Sequence, residues 1–116
     1  MKLKEIIEKL QLRVITAQGG FETEVTGGYT SDLLSDVMAN SQKGNIWITL
    51  QTHQNIIAVA KLKELSGIVL VKGREPDEET TNKAEEEKIP LLSSKESAFS
   101  ITGKLYKLIS EKKIDA

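Results

Sequence analysis

The residues of this sequence best suited to chemistry are a pair of glycines and the hydroxyl groups around them. Thr26 precedes Gly27 and Gly28, and Thr30 and Ser31 follow shortly after. Glycine lets the backbone approach another group closely, and the unpaired N–H groups at a helix start attract anions. The spacing is therefore typical of an anion-binding loop. It also fits a plain loop in which Ser31 caps the helix that follows.

A second set of polar residues follows the apolar segments that we predict as strands. Thr52, His53 and Asn55 come after one such segment, and Arg74 comes after the next. In a parallel sheet, ligands bind beyond the carboxyl ends of the strands, so we expect these residues on one edge. Their donors suit a phosphate-bearing small molecule better than a catalytic centre. The same edge is expected to hold Gly19-Gly20, Gly73 and Ser93-Ser94.

Each of these polar residues also has a structural interpretation. His53, the one histidine, either contacts a ligand or packs against its own loop. Asn55 is either a ligand contact or the N-cap of the next helix. Arg74 either clamps an anion or forms an exposed ion pair with Glu75 or Glu78. A single histidine without nearby carboxylates builds no metal site, so neither a metal nor a cofactor is predicted.

The composition is that of one ordinary globular domain spanning residues 1–116, with its core at about 4–109 and a frayed tail at 111–116. Apolar residues make up 39% and charged residues 28%, with a net charge of −1. Because there is no cysteine, disulfides and thiolate catalysis are excluded. No basic face stands out and aromatic residues are 4%, which argues against nucleic acid as a partner. Short apolar runs and an acidic N-terminal segment argue against a membrane span and a signal peptide, so the cytoplasm is the expected location.

The pattern of apolar residues predicts strands alternating with helices. Such alternation implies right-handed βαβ units and a mainly parallel sheet with helices on both faces. We therefore expect a three-layer α/β/α domain with about four to five strands. The predicted helices are 3–10, 31–40, 56–65, 77–88 and 97–110, and the predicted strands are 12–16, 45–50, 68–71 and 89–92, with a short extended piece at 21–25.

The helix predicted over 56–65 is apolar on most of its surface. A helix of this kind is either buried on more than one side or meets a partner subunit. Trp47 and Tyr29 are interpreted as core or interface residues in preference to stacking platforms. These features favour a homodimer or another protein partner as an alternative to a ligand-binding role.

Three segments resemble the DRTGG domain family. The segment 26–38, Thr-Gly-Gly-Tyr-Thr-Ser-Asp-Leu-Leu-Ser-Asp-Val-Met, resembles the family signature, and the likeness continues through 47–60 and 73–80. It covers the chain from about 4 to 109. Glu24-Val25 stand where the family name has Asp-Arg, which removes a cation beside the glycines.

This resemblance implies a fold similar to the N-terminal domain of HPr kinase/phosphorylase and of some Mur ligases. The P-loop and catalytic residues of those kinases belong to a separate domain, and Thr102-Gly103-Lys104 lacks both the leading glycine and the following hydroxyl of a P-loop. We therefore expect no enzyme here. Elsewhere the family is attached to CBS domains in regulatory pyrophosphatases or to phosphotransacetylases, where it is associated with regulation and oligomer contacts.

Two hypotheses follow. The leading one is a non-catalytic regulatory module that binds a small phosphorylated or nucleotide-like ligand. The alternative is a protein-interaction or homodimerisation domain without a small-molecule ligand. The predicted ligand-binding residues are Thr26, Gly27, Gly28, Thr30, Ser31, Thr52, His53, Asn55 and Arg74.

Overall fold

A computed structural model describes residues 1–16 and 19–115, apart from the side chains of 113–115. Helices and strands alternate along these residues for most of the chain. In order they are α1 (Leu3–Leu10), β1 (Arg13–Val14), β2 (Gly27–Thr30), α2 (Leu34–Asn40), β3 (Asn45–Thr49), α3 (Asn55–Leu62), β4 (Gly67–Leu70), α4 (Glu78–Glu87), β5 (Leu91–Ser93) and α5 (Ala98–Asp115).

The strands form one five-stranded sheet in the order β1-β5-β4-β3-β2. β2, β3, β4 and β5 are parallel, and β1 pairs antiparallel with β5 through Arg13 opposite Ser93. The mainly parallel sheet predicted from the sequence is confirmed. β1 and β2 are its two edges.

Two apolar cores lie on opposite faces of the sheet, because successive side chains of a strand point to opposite sides. Ile46 and Ile48 of β3 face α1 and α5, whereas Trp47 between them faces α2, α3 and α4. Trp47 is fully buried, so its core interpretation is correct. The predicted three-layer α/β/α architecture is confirmed.

The apolar surface of α3 is buried mainly within the chain itself. Ile56, Ile57 and Ala60 are completely buried in the core shared with α2 and α4. Leu62 remains 68% exposed at the end of the helix. Among the described residues, no helix has the length and apolarity needed to cross a membrane.

The glycine pair lies in a strand, which corrects the predicted loop. Gly27 and Gly28 pair with Asn45 and Ile46 of β3 and have no positive φ angle. The extended piece predicted at 21–25 is reduced to one isolated bridge between Glu24 and Lys2. Pairing with the buried strand β3, which local patterns do not reveal, decides which residues become the strand.

Helix ends also differ from the predictions. α2 begins at Leu34, because the carbonyl of Ser31 accepts a hydrogen bond from Trp47 Nε1 (2.8 Å) and its Oγ accepts one from Leu33 N (3.1 Å). Ser31 therefore stands in a turn before the helix. α5 continues to Asp115, beyond the predicted end near residue 110.

Candidate functional site

The predicted site residues lie at opposite edges of the sheet. Ser31, Thr52 and Arg74 follow parallel strands and lie at the carboxyl edge. Thr26 lies at the amino edge, where its Oγ1 donates to Lys43 O (2.8 Å). Thr26 therefore lies at the other edge of the sheet from Thr52 and Arg74.

Gly19-Gly20 do not lie at the edge predicted for them together with Thr52 and Arg74. They follow β1, which is antiparallel, and therefore lie at the amino edge. A Cβ on Gly20 would stand 2.9 Å from Pro90 Cγ, just before β5 begins. The direction of β1 could not be derived from its own residues, because both directions fit a short β-branched segment.

Asp32 organises the carboxyl edge near β2 and β3. Its Oδ1 accepts hydrogen bonds from Thr49 Oγ1 (2.8 Å) and from Leu50 N (2.7 Å), and its carbonyl accepts one from Gln51 Nε2 (2.8 Å). These bonds fasten the loop after β2 to the end of β3. Asp32 is therefore a structural anchor, a role that its sequence position in a predicted helix turn does not indicate.

The turn after β4 uses its own amide donors. Lys72 and Gly73 have left-handed φ angles of 57° and 68°. Lys72 N donates to Glu96 O (2.8 Å), Gly73 N to Ser94 O (2.8 Å) and Arg74 N to Val71 O (3.2 Å). Because these three donors are paired, the turn lacks the free N–H groups that cradle an anion.

The Arg74 side chain is exposed and forms no hydrogen bond or ion pair with the residues that the structure describes. Its expected partner Glu75 instead accepts from Arg13 NH2 (2.7 Å). The alternative of an ion pair between Arg74 and Glu75 is therefore wrong, and none with Glu78 forms among the described residues. Arg74 stands apart from the other site candidates as a solvated cation.

Asn55 is not the N-cap of α3, and His53 lies two residues before the helix. Its Nδ1 accepts a hydrogen bond from Asn55 N (3.1 Å), and Asn55 is already the first helical residue. The carbonyl of Thr52 accepts from Asp77 N (3.2 Å) and from Thr80 Oγ1 (2.6 Å). These bonds confirm that His53 packs against its own loop. Across the described residues, no group of three or more His, Asp or Glu could hold a metal.

A cavity with a volume of about 660 Å³ lies between β2 and α5. Leu105 of α5 packs over Gly28, where an added Cβ would stand 2.8 Å from Leu105 Cδ2. Gly28 is therefore explained by the close approach of the helix. We call this cavity the β2–α5 groove, and it is lined by Thr26, Gly27, Gly28, Tyr29, Thr30, Ile48, Thr102, Leu105, Tyr106, Ile109 and Ser110.

Hydroxyl groups provide much of the polarity of the groove. The Oγ1 atoms of Thr30 and Thr102 are hydrogen-bonded at 2.7 Å and tie β2 to α5. Tyr106 is 74% exposed beside them. Among the residues whose side chains the structure describes, none of those lining the groove is charged. Its volume and apolar walls suit a small organic molecule, with hydroxyls to orient it.

Tyr29 directs its hydroxyl to α2. The hydroxyl donates to Asp36 Oδ1 (2.7 Å), which also accepts from Asn40 Nδ2 (2.9 Å). These hydrogen bonds, the one from Tyr29 first, hold the pKa of the Asp36 carboxyl below its ordinary value. The bond to Asp36, helped by burial, raises the pKa of Tyr29.

The groove unites only part of the predicted site. Thr26, Gly27, Gly28 and Thr30 line it, whereas the residues after β3 and β4 do not. The α5 residues were missed because they lie more than 70 positions along the chain from their partners in β2. A signal was present in Tyr106, an aromatic residue outside the apolar stripe of the last helix.

Comparison with known proteins supports a DRTGG-like fold. No family model matches the sequence, and no curated protein matches it significantly. A similar solved structure holds the CBS and DRTGG domains of the regulatory region of a Clostridium perfringens pyrophosphatase, complexed with the activator diadenosine tetraphosphate. It has a TM-score of 0.70 and 15% identity over 90% of this chain. The chain spans about half of that structure's chain (47%), and the likeness concerns the fold alone.

Proposed function

We propose that this protein is a cytoplasmic, non-catalytic regulatory module that binds a nucleotide-like ligand in the β2–α5 groove. The observation that carries the proposal is the groove itself, a cavity of about 660 Å³ with apolar walls and a few hydroxyls. A nucleoside portion fits such a site, because its flat base seeks apolar cover and its ribose seeks hydroxyl partners. Because none of the described lining residues is charged, we place the phosphates at the mouth of the groove, in solvent.

Two further observations support the ligand class. Tyr106 stands exposed on the rim of the groove, where its ring offers a flat surface for a base. The similar pyrophosphatase region was solved with a nucleotide activator. We therefore place the nucleoside part of a nucleotide between Tyr106 and the Thr30–Thr102 hydroxyl pair.

The hydrogen bonds at the carboxyl edge support a role without catalysis. A base built from His53 with Asp32 or Asp36 requires free functional groups. His53 Nδ1 accepts from Asn55 N, Asp32 Oδ1 accepts from two donors, and so does Asp36 Oδ1. These groups hold the fold, so we assign none of them to a reaction.

Thermal unfolding tests the ligand. The panel is adenosine, AMP, ATP and diadenosine tetraphosphate, against the full chain. A ligand at about 100 times its dissociation constant adds ~2.7 kcal/mol, which raises the midpoint by several degrees. A panel without any shift would contradict the proposal.

Variants test the groove. Tyr106→Ala removes an exposed ring, and Gly28→Val fills the groove beside Leu105. We expect each to weaken binding of the active panel member at least tenfold. Gly103→Ala is the matched control, since Gly103 has no atom near its missing Cβ and lies outside the groove. Unchanged affinity in both groove variants would show that the ligand does not bind in the groove.

A second candidate function is a protein-interaction domain without a small-molecule ligand. Exposed apolar side chains favour it: Leu33, in the loop after β2, is 63% exposed, and Tyr106 on α5 is 74% exposed. This candidate would be favoured if no nucleotide of the panel raised the unfolding midpoint and the oligomeric state changed with protein concentration.

A further inference from the structure

The two edges of the sheet are built differently. β1 is two residues long and carries Arg13, whose guanidinium bonds Ser93 Oγ (3.0 Å) and Glu75 Oε1 (2.7 Å). Short edges with charged side chains are how proteins prevent unwanted strand pairing. β2 is four residues long, Gly-Gly-Tyr-Thr, and carries neither a charge nor a proline. The β2 edge therefore lacks the protection that the β1 edge has.

The uncharged surface continues from β2 onto α5. Phe99, Thr102, Tyr106 and Ile109 recur at helical spacing and define an uncharged stripe of α5. Phe99 is 90% exposed. The whole chain has 16 basic and 17 acidic residues, so a continuous surface without charge is unusual on it. Depletion of charge with exposed aromatic residues is typical of an interface centre.

We propose that a second copy of this chain pairs with the β2 edge, joining two five-stranded sheets into one of ten strands. The paired strands are antiparallel about a two-fold axis normal to the sheet, which keeps the α5 helices of both copies on the same face. A neutral edge matches a neutral edge, whereas a charged partner would bury its charges without counter-ions. The same chain is therefore the occupant whose chemistry fits.

The strand alone is too short for a stable interface, so α5 contributes. A stable interface buries about 800 Å² on each partner, far more than a four-residue strand provides. In this arrangement the uncharged stripes of the two α5 helices meet across the axis. Thr30 faces the α5 side of β2 and is exposed, so it is accessible to the second copy.

The second copy also completes the groove. β2 is the last strand of the sheet, so the outer side of the groove has no wall within one chain. The α5 helix of the second copy supplies that wall. This part rests on the proposed function, and it links ligand binding to dimer formation.

Sedimentation and cross-linking test the pairing. The wild-type chain is expected to sediment as a dimer, and Phe99→Glu is expected to raise its dissociation constant at least tenfold. Leu62→Glu, on the exposed end of α3, is the matched control and keeps the dimer. Because the chain has no cysteine, Thr30→Cys introduces a single thiol for a short bismaleimide cross-linker. We expect it to link two chains, whereas Val14→Cys on the β1 edge does not.

The outcomes separate the two proposals. A wild-type monomer at all concentrations, or a dimer that survives Phe99→Glu without cross-linking at residue 30, overturns the pairing. A dimer without any nucleotide shift keeps the pairing and overturns the proposed function. A monomer whose unfolding midpoint is raised by a nucleotide overturns the pairing and keeps the proposed function. If the second copy forms the wall, Phe99→Glu also weakens the nucleotide at least tenfold.

Discussion

At the scale of single residues, the carboxylates near β2 hold structure. Asp32 receives the hydroxyl of the buried Thr49 and the amide of Leu50. Removing a charged acceptor leaves both donors without it. Losing these hydrogen bonds therefore destabilises the connection between the loop after β2 and the end of β3.

We predict that Asp32→Ala lowers the free energy of unfolding by about 1–2 kcal/mol, because two hydrogen bonds to a carboxylate are lost. Urea denaturation measures it. Glu86→Ala, on an exposed position of α4, is the control and should change little. An Asp32 variant as stable as the control would show that these bonds contribute nothing.

Asp36 makes a pH-dependent contribution to the free energy of unfolding. The pKa of its carboxyl is held below the ordinary value of 3.8, first by the Tyr29 hydroxyl and then by Asn40. A carboxylate with a lowered pKa contributes stability above its ordinary pKa, and that contribution is lost as the pH falls through the lowered value.

The free energy of unfolding should therefore fall less between pH 5 and about pH 3 in Asp36→Asn than in the wild-type protein. Tyr29→Phe should show an intermediate slope, because Asn40 still donates to Asp36. Denaturant titrations at several pH values measure these slopes. Identical slopes in all three proteins would disprove the role of Asp36.

Residue roles were predictable only where the cause is local. The loop packing of His53 needs a backbone amide two positions away, and the sequence interpretation included it. The role of Gly28 depends on Leu105, 77 residues later, so the local pattern indicated an anion loop in its place. Arg74 lost its expected partner because Arg13, on a distant strand, takes Glu75.

At the scale of secondary-structure elements, α5 is the helix on which the groove depends. Its first turn is capped by Ser97, whose Oγ accepts from Ser100 N (3.1 Å). Ser93, four positions earlier, is buried in β5, where its Oγ accepts from Arg13 Nε. A cap satisfies amide groups that the helix itself leaves unpaired.

Ser97→Ala is predicted to lower the free energy of unfolding by about 1 kcal/mol, the usual loss for an N-cap hydroxyl. Chemical denaturation provides the measurement. Ser35→Ala, exposed on α2, serves as the matched control. Equal free energies of unfolding for the two variants would show that the Ser97 hydroxyl does not stabilise α5 as its N-cap.

The central strands β3 and β4 were predicted well because buried strands have continuous runs of apolar residues, which are visible in the sequence. β3 and β4 are buried at every position, as parallel strands covered on both faces must be. β2, an edge strand of glycines and hydroxyl residues, has no such run. Its existence follows from pairing with β3, and that pairing is non-local.

At the scale of the whole molecule, the position of a strand in the sheet sets how easily it opens. β3 and β4 lie inside the sheet, and β1 and β2 form its edges. Amides in the best-protected elements exchange only when the whole domain unfolds, whereas edges open locally.

Hydrogen exchange of the Phe99→Glu variant, intended as the monomer, should therefore be slowest at 45–49 and 67–70. The amides of 27–30 should exchange faster in this variant than in the wild-type chain, if two copies pair at β2. Mass spectrometry of peptides covering these segments measures it. Equal protection of 27–30 in both proteins would contradict the pairing.

The order of the strands also governs how the chain folds while it is being made. β1 bonds β5, with Arg13 and Ser93 separated by 80 positions, and α1 packs against α5. The N-terminal segment is synthesised first, yet its apolar residues Leu3 and Ile6 have no complete core until α5 leaves the ribosome. Contacts between such distant positions are slow to form. During translation the N-terminal helix can therefore complete its apolar core only after α5 has been synthesised.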